Sequence, residues 1–252
     1  MSDMVDQALI SPRYLAGSGD PAWVTVPLHE ATGWSHGQEP LLPRVILSSP
    51  DQKTLLRLEP TPGDQWWRIS HNGGSPSNSW YASFGGRTPV ELIAAVTDTL
   101  TDPTHNERAL ADPLRPLRRH GWETSPSGEF RSPDGIVKGE RITFSGSNSW
   151  FITAAFDEDD VLWQARFDGR TPAGIVAAFT QALAAREPLW RTHEQTLGLS
   201  RQGLNLRWQQ ATAASVASAL PDRVERLAAR RTGAPPPQPP PQPPRPAPRR
   251  TR

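Results

Sequence analysis

The feature that most constrains this chain is an internal repeat. Shifted by 83 residues, the sequence falls on itself at landmark after landmark. Ser49-Pro50-Asp51 coincides with Ser132-Pro133-Asp134, Trp67 with Trp150, Trp80 with Trp163, and Phe84 with Phe167. Gly86-Arg87-Thr88-Pro89 coincides with Gly169-Arg170-Thr171-Pro172, Ala94-Ala95 with Ala177-Ala178, and Leu100 with Leu183. Upstream, Pro27-Leu28 and Gly33-Trp34 resemble Pro116-Leu117 and Gly121-Trp122, with the first copy slightly longer there. Tryptophan is rare, so several Trp matches in one register mean duplication, and a fold must be read one repeat at a time.

Each copy carries the same local signals. Trp67 and Ile69 alternate with Trp66, Arg68 and Ser70, while Trp150, Ile152, Ala154 and Phe156 alternate with polar or small residues. Trp80, Ala82, Phe84 and Trp163, Ala165, Phe167 do likewise. Period-two patterning predicts half-buried strands. Asn72–Pro76 and Asp157–Asp160 suit the hairpin turns between them. Thr88-Pro89 and Thr171-Pro172 read as helix starts, with Glu91 closing a capping box in the first copy only. Leu92, Ile93, Val96, Leu100 and Ile175, Val176, Phe179, Leu183 follow as apolar stripes at helical spacing.

The expected fold class is therefore α+β: two tandem β-β-β-β-α modules, each an antiparallel sheet with one covering helix. The modules span 11–103 and 112–188. Residues 189–231 read as a helical segment, with Trp208–Leu220 and Asp222–Arg231 helical and Pro221 capping or kinking the pair. Of the 28 prolines, ten lie between Pro235 and Pro248. Residues 232–252 thus form a Pro- and Arg-rich tail expected to be disordered.

Charge narrows the partner classes. Net charge is +1, but eight arginines from Arg223 onward face only Glu225, which leaves 19 basic and 25 acidic residues in 1–222. An acidic body argues against a broad phosphate-binding face. With no cysteine, disulfides and thiolate chemistry are out. No apolar run reaches membrane-spanning length, and Met1–Ile10 lacks a secretory pattern. No membrane association is expected, and a cytoplasmic location is.

Ser-Pro-Asp at the start of a strand, the Trp pairs, and Gly-Arg-Thr-Pro before an Ala-rich helix resemble the SPDY domain family. This is a domain of unknown function (number 317) found in actinobacteria, commonly in two copies. The resemblance runs from about residue 11 to 188, and Trp80–Pro89 is its most specific stretch. Gln52 and Gly135 follow the Ser-Pro-Asp motifs where the family has Tyr. The resemblance implies no activity, cofactor or partner.

No catalytic constellation stands out, so an enzyme is not expected. Asp51 and Asp134 could serve a hydrolase, but each lacks a partner acid or His in register, and a Pro-Asp turn explains them. Arg87 and Arg170 sit where a helix N-terminus could hold an anion, or where an Arg could fix a strand–helix corner. Asp157–Asp160 lacks the spacing of a calcium loop. His193-Glu194 lacks the second His of a zinc helix. Neither a metal nor a cofactor is expected. The residues that break the repeat on the outward strand face are more telling: Trp66 aligns with Ser149, and Tyr81 with Gln164. With Arg68 they define a candidate contact surface, unless another element covers it. The expectation is a non-enzymatic binding or scaffold protein with a protein partner. Single-stranded nucleic acid, held by sheet aromatics and the basic tail, is the alternative.

Overall fold

Alternating apolar residues make the central strands, and their partners decide the architecture. The computed structural model describes residues 3–37, 44–60, 65–102, 104, 112–144 and 147–232. An N-terminal strand, β1 (Met4–Ser11), precedes α1 (Ala22–Glu30). The first repeat then supplies β2 (Ser35–Gly37), β3 (Val45–Ser48), β4 (Thr54–Leu58), β5 (Trp67–His71), β6 (Trp80–Phe84) and α2 (Val90–Thr101). The second supplies α3 (Arg115–Arg119), β7 (Glu123–Thr124), β8 (Phe130–Arg131), β9 (Val137–Phe144), β10 (Ser147–Ala155), β11 (Val161–Phe167) and α4 (Ala173–Ala184). After them come β12 (Leu189–Thr192), α5 (His193–Thr196), β13 (Asn205–Thr212) and α6 (Ala213–Thr232).

The fold is α+β with antiparallel sheets. Each repeat holds five strands behind a short helix, one strand more than the expected β-β-β-β-α unit, because β2 and β7 follow directly on the Gly-Trp pairs. The two repeats do not form separate sheets. Their strands join edge to edge in one ten-stranded sheet, ordered β2-β3-β4-β5-β6-β11-β10-β9-β8-β7. At the seam Ser83 pairs with Arg166, flanked by Ala82↔Phe167 and Phe84↔Ala165. Ser83 and Arg166 are each other's counterparts under the 83-residue offset, so a pseudo-twofold axis passes between them. Backbone bonds obey the same symmetry: Gly85 N donates to Gln164 O (2.8 Å) and Asp168 N to Tyr81 O (2.9 Å).

Helices α2 and α4 lie on the tryptophan face. Trp67, Trp80, Trp150 and Trp163 are buried there with Leu92, Ile93, Ile175 and Val176 in one continuous core. Phe179 of α4 crosses the seam, stacking on Phe84 at 5.7 Å and meeting Phe167 edge-on at 5.3 Å.

Two local expectations are corrected. Thr88 caps nothing: α2 begins at Val90 with Pro89 in the cap position, and the fully buried Thr88 hydroxyl has no hydrogen-bond partner among the described residues. Glu91 is instead drawn to Arg191, so no capping box forms. The segment 189–231 is not helical throughout. β12 and β13 flank β1 in a second, three-stranded antiparallel sheet, and Trp208–Thr212 belong to β13. Helix resumes only at Ala213 and runs through Pro221 without a break. Two ion pairs fasten this layer to the core. Arg191, 3% exposed, binds both oxygens of Glu91 at 2.6 and 2.8 Å. Arg223 binds both oxygens of Asp98 at 2.6 and 3.0 Å and lies over Trp23. The expected disordered tail lies outside the described residues from 233 onward.

Candidate ligand-binding groove

With both helices on one side, the other face of the ten-stranded sheet carries the residues that alternate outward. Register places one row across seven strands: Ile46, Arg57, Arg68, Ser83, Arg166, Phe151, Glu140. Its centre is a groove of about 600 Å³ over the seam. Gln65, Arg68, Ser70, Tyr81 and Ser83 line it from the first repeat, and Phe151, Thr153, Gln164 and Arg166 from the second. That volume falls in the range of small-ligand sites.

The groove is symmetric in position and asymmetric in chemistry. Under the offset, Arg68 corresponds to Phe151, Ser70 to Thr153, Tyr81 to Gln164 and Ser83 to Arg166. The inward face, by contrast, repeats Trp for Trp and Phe for Phe. Arg166 lies between two rings, 5.3 Å from the centre of Tyr81 and 4.9 Å from that of Phe151. A guanidinium over an aromatic face keeps its in-plane N–H donors free. Among the described residues, neither Arg68 nor Arg166 has a carboxylate or hydrogen-bond partner, and no acid lines the groove. The side-chain oxygen of Gln65 is buried, without a donor among the described residues.

Of the three residues that the sequence singles out on this face, the fold brings Arg68 and Tyr81 together. Trp66 sits aside, 36% exposed, its ring laid on Gly86, where an added Cβ would meet the indole at 2.5 Å. Neither the other repeat nor the C-terminal helix lines the groove as a cover. Reading for aromatics that break the repeat misses Phe151 and Arg166. Their signal was the same offset applied in the other direction: Arg166 stands where the first copy has Ser83.

The remaining candidates have structural surroundings. Arg170 pairs with Asp168 (3.3 Å) and donates to the carbonyl of Pro76, fixing the strand–helix corner. Its counterpart Arg87 is exposed, because Gly85 stands where the second copy has Asp168. The Val90 amide at the start of α2 already donates to Ser18 O at 2.8 Å. Asp51 accepts from Ser49 Oγ (2.6 Å) and Lys53 N (3.1 Å), and Asp134 from Ser132 Oγ (2.6 Å) and Ile136 N (3.1 Å). The bond from Ser49 holds the Asp51 carboxyl below the usual range. Tyr14 adds a 2.6 Å bond to Asp134, and burial, aided by that carboxylate, pushes its phenol far up. Asp157 accepts from the amides of Asp159 and Asp160 in a hairpin turn. His193 opens the four-residue α5, which Thr192 and Gln195 box, and its ring lies 5.6 Å from that of Trp208.

The fold and its face define a two-repeat sheet-and-helix protein with an open, cationic, aromatic groove at the repeat junction. Two stretches, residues 48–105 and 131–189, each match the family described as SPDY, a domain of unknown function (DUF317). The two stretches are tandem copies of that domain. No curated protein and no solved structure matches it. No helix of the described residues is long and apolar enough to cross a membrane.

Proposed function

We propose that this is a non-enzymatic binding protein whose working surface is the groove over the seam, and that its partner presents negative charge there. The observation that carries this reading is the pair of unpartnered guanidiniums, Arg68 and Arg166, in an acid-free lining. Two cations left without carboxylates, one held between rings, complement an anionic partner. The contrast between faces supports the same reading. On the four central strands the helix-side residues match between copies, from Trp67/Trp150 and Ile69/Ile152 to Trp80/Trp163, Ala82/Ala165 and Phe84/Phe167, whereas the outward residues have diverged at four paired positions.

The test compares three full-length proteins as affinity baits: wild type, R68Q/R166S, and R201Q on a distant exposed loop. Ligands retained by wild type and R201Q but lost from R68Q/R166S are expected. Equal retention by all three ends the proposal.

A further inference from the structure

We infer that the groove takes single-stranded nucleic acid, with phosphates on Arg68 and Arg166 and a base in the layer formed by Tyr81, Arg166 and Phe151. The inference rests on the groove being the binding surface and adds the chemistry of its occupant. Charge complementarity calls for an anion. The flat layer calls for more than a carboxylate, because a guanidinium between two rings extends a stacking platform for a planar group. Gln65 and Gln164 line the groove with amide groups of the kind that pair with base edges. Arg68 and Arg166 stand two strands apart with Ser83 between, about 10 Å at usual strand spacing.

The surroundings set the direction. Past Phe151 the face carries Glu123, Glu129 and Glu140 among Arg131 and Lys138. On the other side Arg57 and Arg44 share one acid, Glu59, each 3.9 Å from it, which leaves that end with a net positive charge. A strand of phosphates therefore runs from Arg166 toward Arg68 and the first repeat, and avoids the acidic end. The net acidity of residues 1–222 accordingly limits the footprint to a few nucleotides. The chain's own Arg-rich tail is no rival occupant, since its charge has the same sign as the groove.

The experiment titrates full-length protein with a fluorescein-labelled thymidine oligodeoxynucleotide of about ten residues, a typical length for one sheet platform. Two phosphate contacts on a single strand give a log–log salt slope of about −1.4, an affinity loss of about 25-fold per tenfold rise in salt. R68Q or R166S alone is expected to reduce that slope by about 0.7, and together to abolish it. Y81Q, which installs the residue that the second repeat already carries, is expected to weaken binding about tenfold with the slope kept, since stacking is not ionic. A duplex of the same length is expected to bind more weakly than the single strand. Thermal melts of each variant that match wild type show that folding is not at issue.

Absence of saturable binding at low salt overturns the inference. So does binding that survives R68Q/R166S but is lost in full-length R245Q/R249Q/R250Q/R252Q, which assigns it to the tail. A glutamate decapeptide that binds through Arg68 and Arg166 more tightly than the oligonucleotide also overturns it, yet leaves the groove reading standing.

Discussion

Asp51 and Asp134 are one residue met twice, and their surroundings explain why the motif needs an acid. Each carboxylate closes a ring with the Ser hydroxyl two residues back and the amide two residues on. Because the bond from Ser49 favours the ionised form, Asp51 has its carboxyl pKa depressed in the folded state. Its contribution to stability is therefore complete above the unfolded carboxylate range, near pH 4, and is lost as pH falls through the depressed value. D51N is expected to flatten the acid limb of a stability–pH curve below about pH 4, which urea titrations at several pH values would measure. An acid limb as steep as wild type would refute this. The following residue must enter the left-handed region: Gln52 has φ 60° and Gly135 φ 74°. Nothing lies within 4 Å of an added Cβ at Gly135, so G135A is expected to cost about 1 kcal/mol from backbone strain alone, read as a lowered urea midpoint. The turn was legible in Ser-Pro-Asp itself. The Tyr14 bond to Asp134 was not, because it joins residues 120 apart and no local pattern announces it.

Among the elements, those with one buried face were legible and those with neither face clearly buried were not. From Trp150 onward β10 alternates, as β11 does from Leu162, burying Ile152, Ala154, Trp163, Ala165 and Phe167, and this period of two is plain in the sequence. β13 is Asn-Leu-Arg-Trp-Gln-Gln-Ala-Thr, exposed over Arg207–Gln210, so its sequence shows no period of two. It is a strand because β1, two hundred residues away, offers it a ladder from Met4 to Ser11. The Arg191–Glu91 pair that fastens this layer was equally invisible, and Glu91 looked like a cap. Arg191 is nearly inaccessible, so E91A strands a buried charge and is expected to cost about 3–5 kcal/mol, seen as a large fall in melting temperature. The double variant R191M/E91L should recover much of that loss, since apolar replacement of a buried pair is often close to neutral. A double variant no better than E91A would show that the pair does not act as a unit.

At the scale of the whole molecule, the seam makes two copies into one sheet, and its asymmetry explains why two different copies are required. The axis between Ser83 and Arg166 is the geometry of an isologous dimer built within one chain. Two identical second repeats joined the same way would set Arg166 directly opposite Arg166, and like charges facing across strands destabilise the pairing. They would also place Phe179 against Phe179 where the natural seam offers Phe179 and the smaller Val96, both fully buried; extra volume in a packed core forces shifts that cost about 1–3 kcal/mol. At these two seam positions the first repeat thus supplies the small residue and the second the large one, and the division brings Arg166 to the groove, while the first repeat brings Arg68. A fragment of residues 112–188 is therefore expected to stay monomeric or aggregate, its β11 edge open. The same fragment with R166S and F179V, which carry the first repeat's seam residues, is expected to form discrete dimers in sedimentation equilibrium. Identical behaviour of the two fragments would mean that these residues do not set the pairing, and that the long-range contacts of β1, β12 and β13 hold the repeats together instead.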